Sequence, residues 1–333
     1  MAFRGLLPAG AAIFGALLMP VCPLSGSPGD ADQALEAARI ALRSGNFAQA
    51  DVLYTSTVRE LDSAGAADSR LSTSLLELGR VRAVEGRCGE ATDLVLRGIR
   101  ILKAAPQADP LKLSEAWAVL AKSYNCQRLY SKAETALGRA LASEESAPAP
   151  RPDRVVELLA GQGEIYEAER RLGQAEAVFR RAQSVIDRDP RIDPLEAALL
   201  RNNFGMLLRM AGRTGEAEAS FSQGLAQAQG AAHREPALEI SLEYNLAALE
   251  AGQKRFREAA AHFESAVWLL DRGAALPPRS AGELLRDYAA CLRKLGGHQQ
   301  AKAVGDRASA LLRSQTDGDG SRVVDVAELA RRN

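Results

Sequence analysis

Pro110, Pro152, Pro194, Pro236 and Pro278 follow one another at a step of 42 residues, and Pro106, Pro148 and Pro190 keep the same step. Proline lacks the backbone donor that a helix interior needs, but it suits the first helical turn. A row of prolines at fixed spacing therefore marks the starts of helices in a chain built from repeating units. Of the 14 prolines, four lie in the first thirty residues and ten lie in these periodic linkers.

A second ruler runs through alanine. Ala50, Ala91, Ala133, Ala175, Ala217, Ala259 and Ala301 step by 41 once and by 42 thereafter. Ahead of each sits a turn, as in Gly45-Asn46-Phe47, Gly86-Arg87-Cys88 and Gly212-Arg213-Thr214-Gly215. Four residues after it comes a large side chain in six units: Tyr54, Val95, Leu137, Phe179, Phe221 and Phe263; the last unit has Gly305. Apolar residues recur at i, i+3, i+4 and i+7 on both sides of the turn, the pattern of a helix with one buried stripe. Each unit reads as helix, turn, helix and proline linker.

Trp117, Leu120, Ala121, Tyr124, Ala133 and Leu137 follow the signature Trp-x2-Leu-Gly-x2-Tyr and Ala-x3-Phe. Gly163, Tyr166, Ala175 and Phe179 repeat it, as do Gly205, Leu208, Ala217 and Phe221, and then Leu246, Ala247, Ala259 and Phe263. The chain resembles the tetratricopeptide repeat family over about Asp32 to Arg313. The 42-residue period and the segments Asn202-Asn203-Phe204-Gly205 and Asn245-Leu246-Ala247 are similar to the kinesin-light-chain type. The resemblance implies an all-α fold, a right-handed superhelical solenoid of about seven helix-turn-helix units over 31–313. No unit can bury its own stripe, so neighbours must stack. The first unit carries Ala34, Ala37, Ala38 and Ala41 where its relatives have larger residues, which suits either loose packing or a cap.

Residues 1–30 read as a secretory signal peptide. Arg4 supplies the positive start, Gly5 to Val21 is free of charge, and Pro20 to Gly29 supplies a breaking, small-residue exit. The uncharged stretch is shorter than the ~20 residues that span a bilayer, and Pro8 interrupts it. The expectation is a periplasmic or secreted protein without a membrane span in the mature chain; the alternative is anchoring by an uncleaved signal. Met19-Pro20-Val21 departs from a lipobox ahead of Cys22. Beyond Arg313, residues 314–333 read as a Gly/Asp linker and a short amphipathic tail with Val323, Val326, Leu329 and Ala330. The tail suits a capping helix or a segment that docks in its own groove or a neighbour's, the second of which implies self-association.

The 42 basic and 42 acidic side chains balance, which opposes nucleic-acid binding, since phosphate affinity rests on excess Lys and Arg. No glycine-rich phosphate loop, no strand pattern and no Cys-x2-Cys or His-x3-His pair is present, so neither a cofactor nor a metal is expected. His233, His262 and His298 read as ordinary surface or half-buried residues, and no catalytic residue is assigned. Cys88, in a turn, and Cys126, late in the next first helix, fall near the same edge of adjacent units. A bridge there needs Cα atoms within ~7 Å; the spacing leaves open a disulfide or two small packing residues. Cys291 reads as a buried packer.

In tetratricopeptide repeats the first helices line an inner groove. Carried onto this sequence, the inward positions include Lys122, Asn125, Glu157, Glu164, Asn202, Met206, Arg209, Tyr244, Arg286 and Arg293. Asn203 and Asn245 occupy the asparagine place of the family's clamp for peptide carboxyl termini, but its basic places hold Ser241, Glu283 and Asp287, so that clamp is incomplete. What the resemblance implies is a non-enzymatic scaffold that takes a protein or peptide partner in this groove. The alternative is a regulatory or accessory subunit of a cell-envelope enzyme or secretion complex. Asn203 and Asn245 equally suit bonds between repeats.

Overall fold

The computed structural model describes residues 28–65 and 69–313; most of the expected leader and the whole C-terminal tail lie outside the described residues. The described chain is all helix and turn, with no strand. Its helices form seven pairs: α1 (Pro28–Arg43) with α2 (Phe47–Ser63), α3 (Ser69–Val84) with α4 (Cys88–Ala104), α5 (Pro110–Cys126) with α6 (Tyr130–Glu145), and α7 (Pro152–Ala168) with α8 (Leu172–Arg188). Then come α9 (Pro194–Met210) with α10 (Thr214–Gly230), α11 (Pro236–Gly252) with α12 (Phe256–Asp271), and α13 (Pro278–Lys294) with α14 (His298–Arg313). Pro28 opens α1, so residues 28–30, read from the sequence as the end of the leader, belong to the first helix.

The periodic prolines do what their chemistry allows. Pro110, Pro152, Pro194, Pro236 and Pro278 each occupy the first residue of a first helix, where the missing N–H has no partner to lose. Asp109 and Asp193 cap two of these starts, accepting from Leu111 N and Leu195 N at 2.9 Å. The turn inside each pair is one structure repeated seven times. Gly45, Gly86, Arg128, Arg170, Gly212, Lys254 and Gly296 all lie in the left-handed region, with φ between 58° and 82°. In the third repeat Arg128 N donates to Asn125 O at 2.8 Å and Leu129 N to Tyr124 O at 2.9 Å. This bond pair closes a Schellman turn and satisfies carbonyls that the helix end leaves open.

The conserved alanine spacing is a packing rule. Ala50, Ala91, Ala133, Ala175, Ala217 and Ala259 are fully buried, and so are Tyr54, Phe179 and Phe221 one turn later. Each large side chain enters a gap left by a small residue on the facing first helix. A Cβ added at Gly205 would lie 2.5 Å from Phe221 Cε1, and one at Gly163 would collide with the Phe179 ring. The repeats then stack through these rings: Phe179 lies 5.9 Å from Phe204, and Phe263 lies 5.7 Å from Tyr288, between ring centres. Burying such a ring contributes about 1.5–3 kcal/mol. The first repeat packs its small residues closely as well, with Ala34, Ala38 and Ala41 buried against a neighbourhood that holds Tyr54.

Arginines at the turn edge tie neighbouring second helices. Arg87 reaches Asp51 at 3.4 Å, Arg171 reaches Glu134 at 2.7 Å, Arg213 reaches Glu176 at 2.5 Å and Arg255 reaches Glu218 at 2.6 Å. A second row pairs Arg97 with Asp62, Arg181 with Glu145, and Arg307 with Asp271. Successive first helices approach one another directly, α3 with α5, α7 with α9, α9 with α11 and α11 with α13, whereas comparable contact between successive second helices is absent among the described residues. The array therefore curves with the first helices inside.

Candidate functional site

The inner row is built by the 42-residue step. One position per repeat holds Ala118, Ala160, Asn202, Tyr244 and Arg286; a second, one turn on, holds Lys122, Glu164, Met206, Ala248 and Ala290; a third holds Asn125, Glu167, Arg209, Ala251 and Arg293. Lys122, Asn125, Arg209, Arg286 and Arg293 are exposed, and Glu157, Glu164, Met206 and Tyr244 are half-buried. Asn202 and Asn245 are not: both are buried, and Asn245 Nδ2 donates to Asn202 Oδ1 at 2.8 Å. Their amides join α9 to α11 and leave the groove to the residues around them.

That bond belongs to a ladder between first helices. Lys122 Nζ lies 3.6 Å from Glu157 Oε1, and Arg154 pairs with the same carboxylate. Asn203 Nδ2 donates to Glu164 Oε1 at 3.4 Å, and Tyr244 donates to Asp287 Oδ2 at 2.8 Å while Arg286 Nε donates to Asp287 Oδ1 at 3.0 Å. Arg209 Nη2 lies 3.4 Å from Met206 Sδ. Burial, reinforced by the hydrogen bond to Asp287, pushes the Tyr244 phenol up to about 12. Glu167 is held up at about 7 by burial alone, and its Oε1 has no hydrogen-bond partner. Glu196 is also held at about 7, by burial first and then by Asp153, Asp193 and Glu157. The inner row thus carries the carboxylates of Glu157, Glu164 and Glu167 along α7 and exposed arginine at α9 and α13.

Sequence reasoning missed a polar cluster between α11 and α12. Leu75, Trp117, Leu159 and Leu285 fill one buried first-helix position, but repeats five and six place Arg201 and Glu243 there. The facing second helix meets each of them: Arg201 Nε donates to Gln227 Oε1 at 2.9 Å and Arg201 Nη1 to Gln223 Oε1 at 2.7 Å, and His262 Nδ1 lies 2.6 Å from Glu243 Oε2. Glu250, buried, lies 3.7 Å from His262 Nε2. The bond to Glu243 holds the His262 imidazole above its ordinary value against its burial, and burial raises the Glu250 carboxyl. The break in an otherwise apolar column was the available signal. Among the described residues no group of three or more His, Cys, Asp or Glu side chains is placed to hold a metal ion.

Cys88 is the first residue of α4, one step beyond the turn where the sequence placed it, and Cys126 is the last of α5. They form a disulfide with Cα atoms 6.1 Å apart. Cys291 is buried in α13, with Sγ 3.2 Å from Phe256 O. No helix among the described residues is long and apolar enough to cross a membrane.

No family model and no curated protein sequence matches the chain. Solved structures do. BtubC (BKLC) from P. vanneervenii superposes with a TM-score of 0.62 at 19% identity, covering 72% of this chain and 98% of its own. A tetratricopeptide repeat protein from Parabacteroides merdae gives 0.57 at 15% identity, covering 91% and 98%. A Rap protein complexed with Competence and Sporulation Factor gives 0.54 at 14% identity, covering 84% and 74%. The chain has the tetratricopeptide-repeat fold, an all-α solenoid of paired helices.

Proposed function

We propose that the protein is an exported, non-enzymatic scaffold that holds an extended or helical segment of a partner protein along its inner helices. The observation that carries this reading is the contrast within the repeats. The alanine row that faces the core keeps one character from repeat to repeat. Positions on the inner row change at almost every step, from Lys122 to Glu164, Met206 and Ala248, and from Asn125 to Glu167, Arg209 and Ala251. Packing alone explains the first pattern; the second gives each repeat a different contact to offer. Helical grooves of this kind read a bound segment through side chains spaced along one face. Carboxylates at Glu157, Glu164 and Glu167 and guanidinium groups at Arg286 and Arg293 favour a segment of complementary polarity. The complex of the like-folded Rap protein with its factor supports the mode, and the uncharged stretch after Arg4 supports export.

The test is site-specific photocrosslinking of the full chain in its native host. A crosslinking residue at Met206, Arg209 or Arg286 should yield one discrete protein adduct. The same residue at Trp268, exposed on a second helix, should not. Adducts of equal yield from both faces, or from Trp268 alone, would overturn the groove assignment.

A further inference from the structure

Junctions between consecutive repeats are stapled by an arginine and an acid on their second helices, save one. Between repeats two and three the turn-edge positions hold Thr92 and Leu129, which cannot form an ion pair. The second row holds Lys103 and Arg139, two cations, and both lie over the Trp117 ring, at 5.2 and 4.7 Å from its centroid. The disulfide sits at this same junction. Cys88 and Cys126 are 38 residues apart, close to the 36–37 of the arginine staples. The turn edge between repeats six and seven, with Ala260 and Gly297, also lacks the ionic staple, but that junction keeps Arg307–Asp271; between repeats two and three, where both rows lack one, the covalent link occupies the turn edge.

The rest of that edge is neutral: Gln127 Nε2 donates to Thr92 Oγ1 at 2.8 Å and to Cys88 O at 3.0 Å. The opposite edge is different in kind. Leu102 and Ile99 lie toward it, in the apolar core that this junction also builds from Trp117, Val95 and Leu120. Beside it a cavity of about 680 Å³ opens between the start of α3, the end of α4 and the start of α5, lined by Ser69, Ser72, Arg97, Arg100, Ile101 and Lys112. Helix α4, of 17 residues, is ~25 Å long at 1.5 Å per residue, so the disulfide and the cavity lie at opposite ends of one rigid element. Apolar contacts are non-directional and tolerate rotation better than paired charges. In a solenoid each repeat touches only its neighbours, so a change at one junction divides the array at that point.

We propose that the Cys88–Cys126 disulfide is a redox-controlled staple whose reduction lets repeats one and two rock against repeats three to seven about the Leu102 and Ile99 end of that core, opening the turn edge. Cys126 is exposed at the end of α5 and Cys88 is buried, so the reachable sulfur is that of Cys126. A thiolate of a dithiol reductant attacks Cys126 Sγ; the Cys88 sulfur leaves with the bonding pair and takes a proton. The second thiol of the reductant then displaces Cys126 as thiol. Two electrons and two protons pass from the dithiol, which ends as a disulfide. Cys291, buried in α13, offers no competing partner within the described residues.

The experiment compares the full-length oxidised protein, the same protein reduced with dithiothreitol, the C88S/C126S variant, and C88S/C126S carrying Thr92→Glu and Leu129→Arg. Amide exchange and small-angle X-ray scattering are the readouts. Reduction and C88S/C126S should each raise exchange about tenfold or more around 86–90 and 124–130, leave repeats four to seven unchanged, and broaden the distance distribution. The added Glu–Arg pair should reverse much of this, because it supplies the ionic staple of the other junctions. Unchanged exchange and scattering on reduction of the wild type, a uniform rise over all seven repeats, or free thiols at both positions in the untreated protein would each overturn the proposal.

Discussion

Asn245 donates its side-chain amide to Asn202 Oδ1 across 2.8 Å, from one first helix to the next, with both residues buried. The bond makes these asparagines part of the wall of the array. Removing one partner strands the other in a place that water does not reach, at about 1–3 kcal/mol. Asn245→Ala should therefore destabilise the protein by that amount. Changing both to leucine should cost less than the sum of the single changes, because no polar atom is then stranded. Chemical denaturation of the three variants checks this; additive losses would show that the two amides do not depend on each other.

The fit of Phe179 against Gly163 gives a second expectation. A methyl at Gly163 collides with the ring, and overpacking of this kind costs about 1–3 kcal/mol. Phe179→Ala opens a cavity instead, at about 3–5 kcal/mol. The pair Gly163→Ala with Phe179→Leu should recover part of the loss, since the third repeat already combines Ala121 with Leu137. Thermal melts of the single and paired variants measure the recovery.

The repeated turn makes a prediction about backbone rather than packing. Arg128, Arg170 and Lys254 hold the left-handed conformation that Gly212 and Gly296 hold elsewhere. An L-residue there carries a cost of about 1–2 kcal/mol that glycine avoids. Arg170→Gly should stabilise the protein and Gly212→Ala should destabilise it, both by about 1 kcal/mol after the unfolded-state entropy of glycine is set against the strain. Denaturant midpoints at constant slope would verify the opposite signs.

Between pH 4.5 and about 7 the buried acids should make stability fall as pH rises. Glu167 titrates at about 7 in the folded chain, above its unfolded value. A group whose folded pKa is raised contributes stability that is complete below the unfolded pKa and is lost as pH climbs through the folded one. Its contribution therefore disappears between pH 4.5 and about 7. His262, raised by its bond to Glu243, acts in the same direction above pH 6.5. The groups facing it are Glu243 and Glu250 on α11 and Glu218 on α10, and Arg255 approaches Glu250. Glu167→Gln mimics the protonated acid, so it should raise Tm at pH 8, on a scale of about 2–4 °C, and leave it unchanged at pH 4.5. Melts at the two pH values decide; a gain at pH 4.5 would assign the effect to something other than the charge.

The proline and alanine rows determined by themselves that the chain is a repeated helix pair, where the first helices of repeats three to seven start, and that the alanine row is buried. Those properties depend on local backbone chemistry and on one apolar stripe per helix, and a 42-residue period displays both. What a residue pairs with depends on how one repeat is rotated against the next, and no single unit contains that information. The rotation buried Asn202 and Asn245 together, although the family's pattern places Asn202 on the groove. It brought the Cα atoms of Cys88 and Cys126 to 6.1 Å, where spacing had left a bridge and simple packing both open. The arginine staples lie between these cases. Arg87, Arg171, Arg213 and Arg255 are periodic in the sequence, but a charge becomes a staple only when the stacked helices place an acid 36–37 residues upstream within its reach.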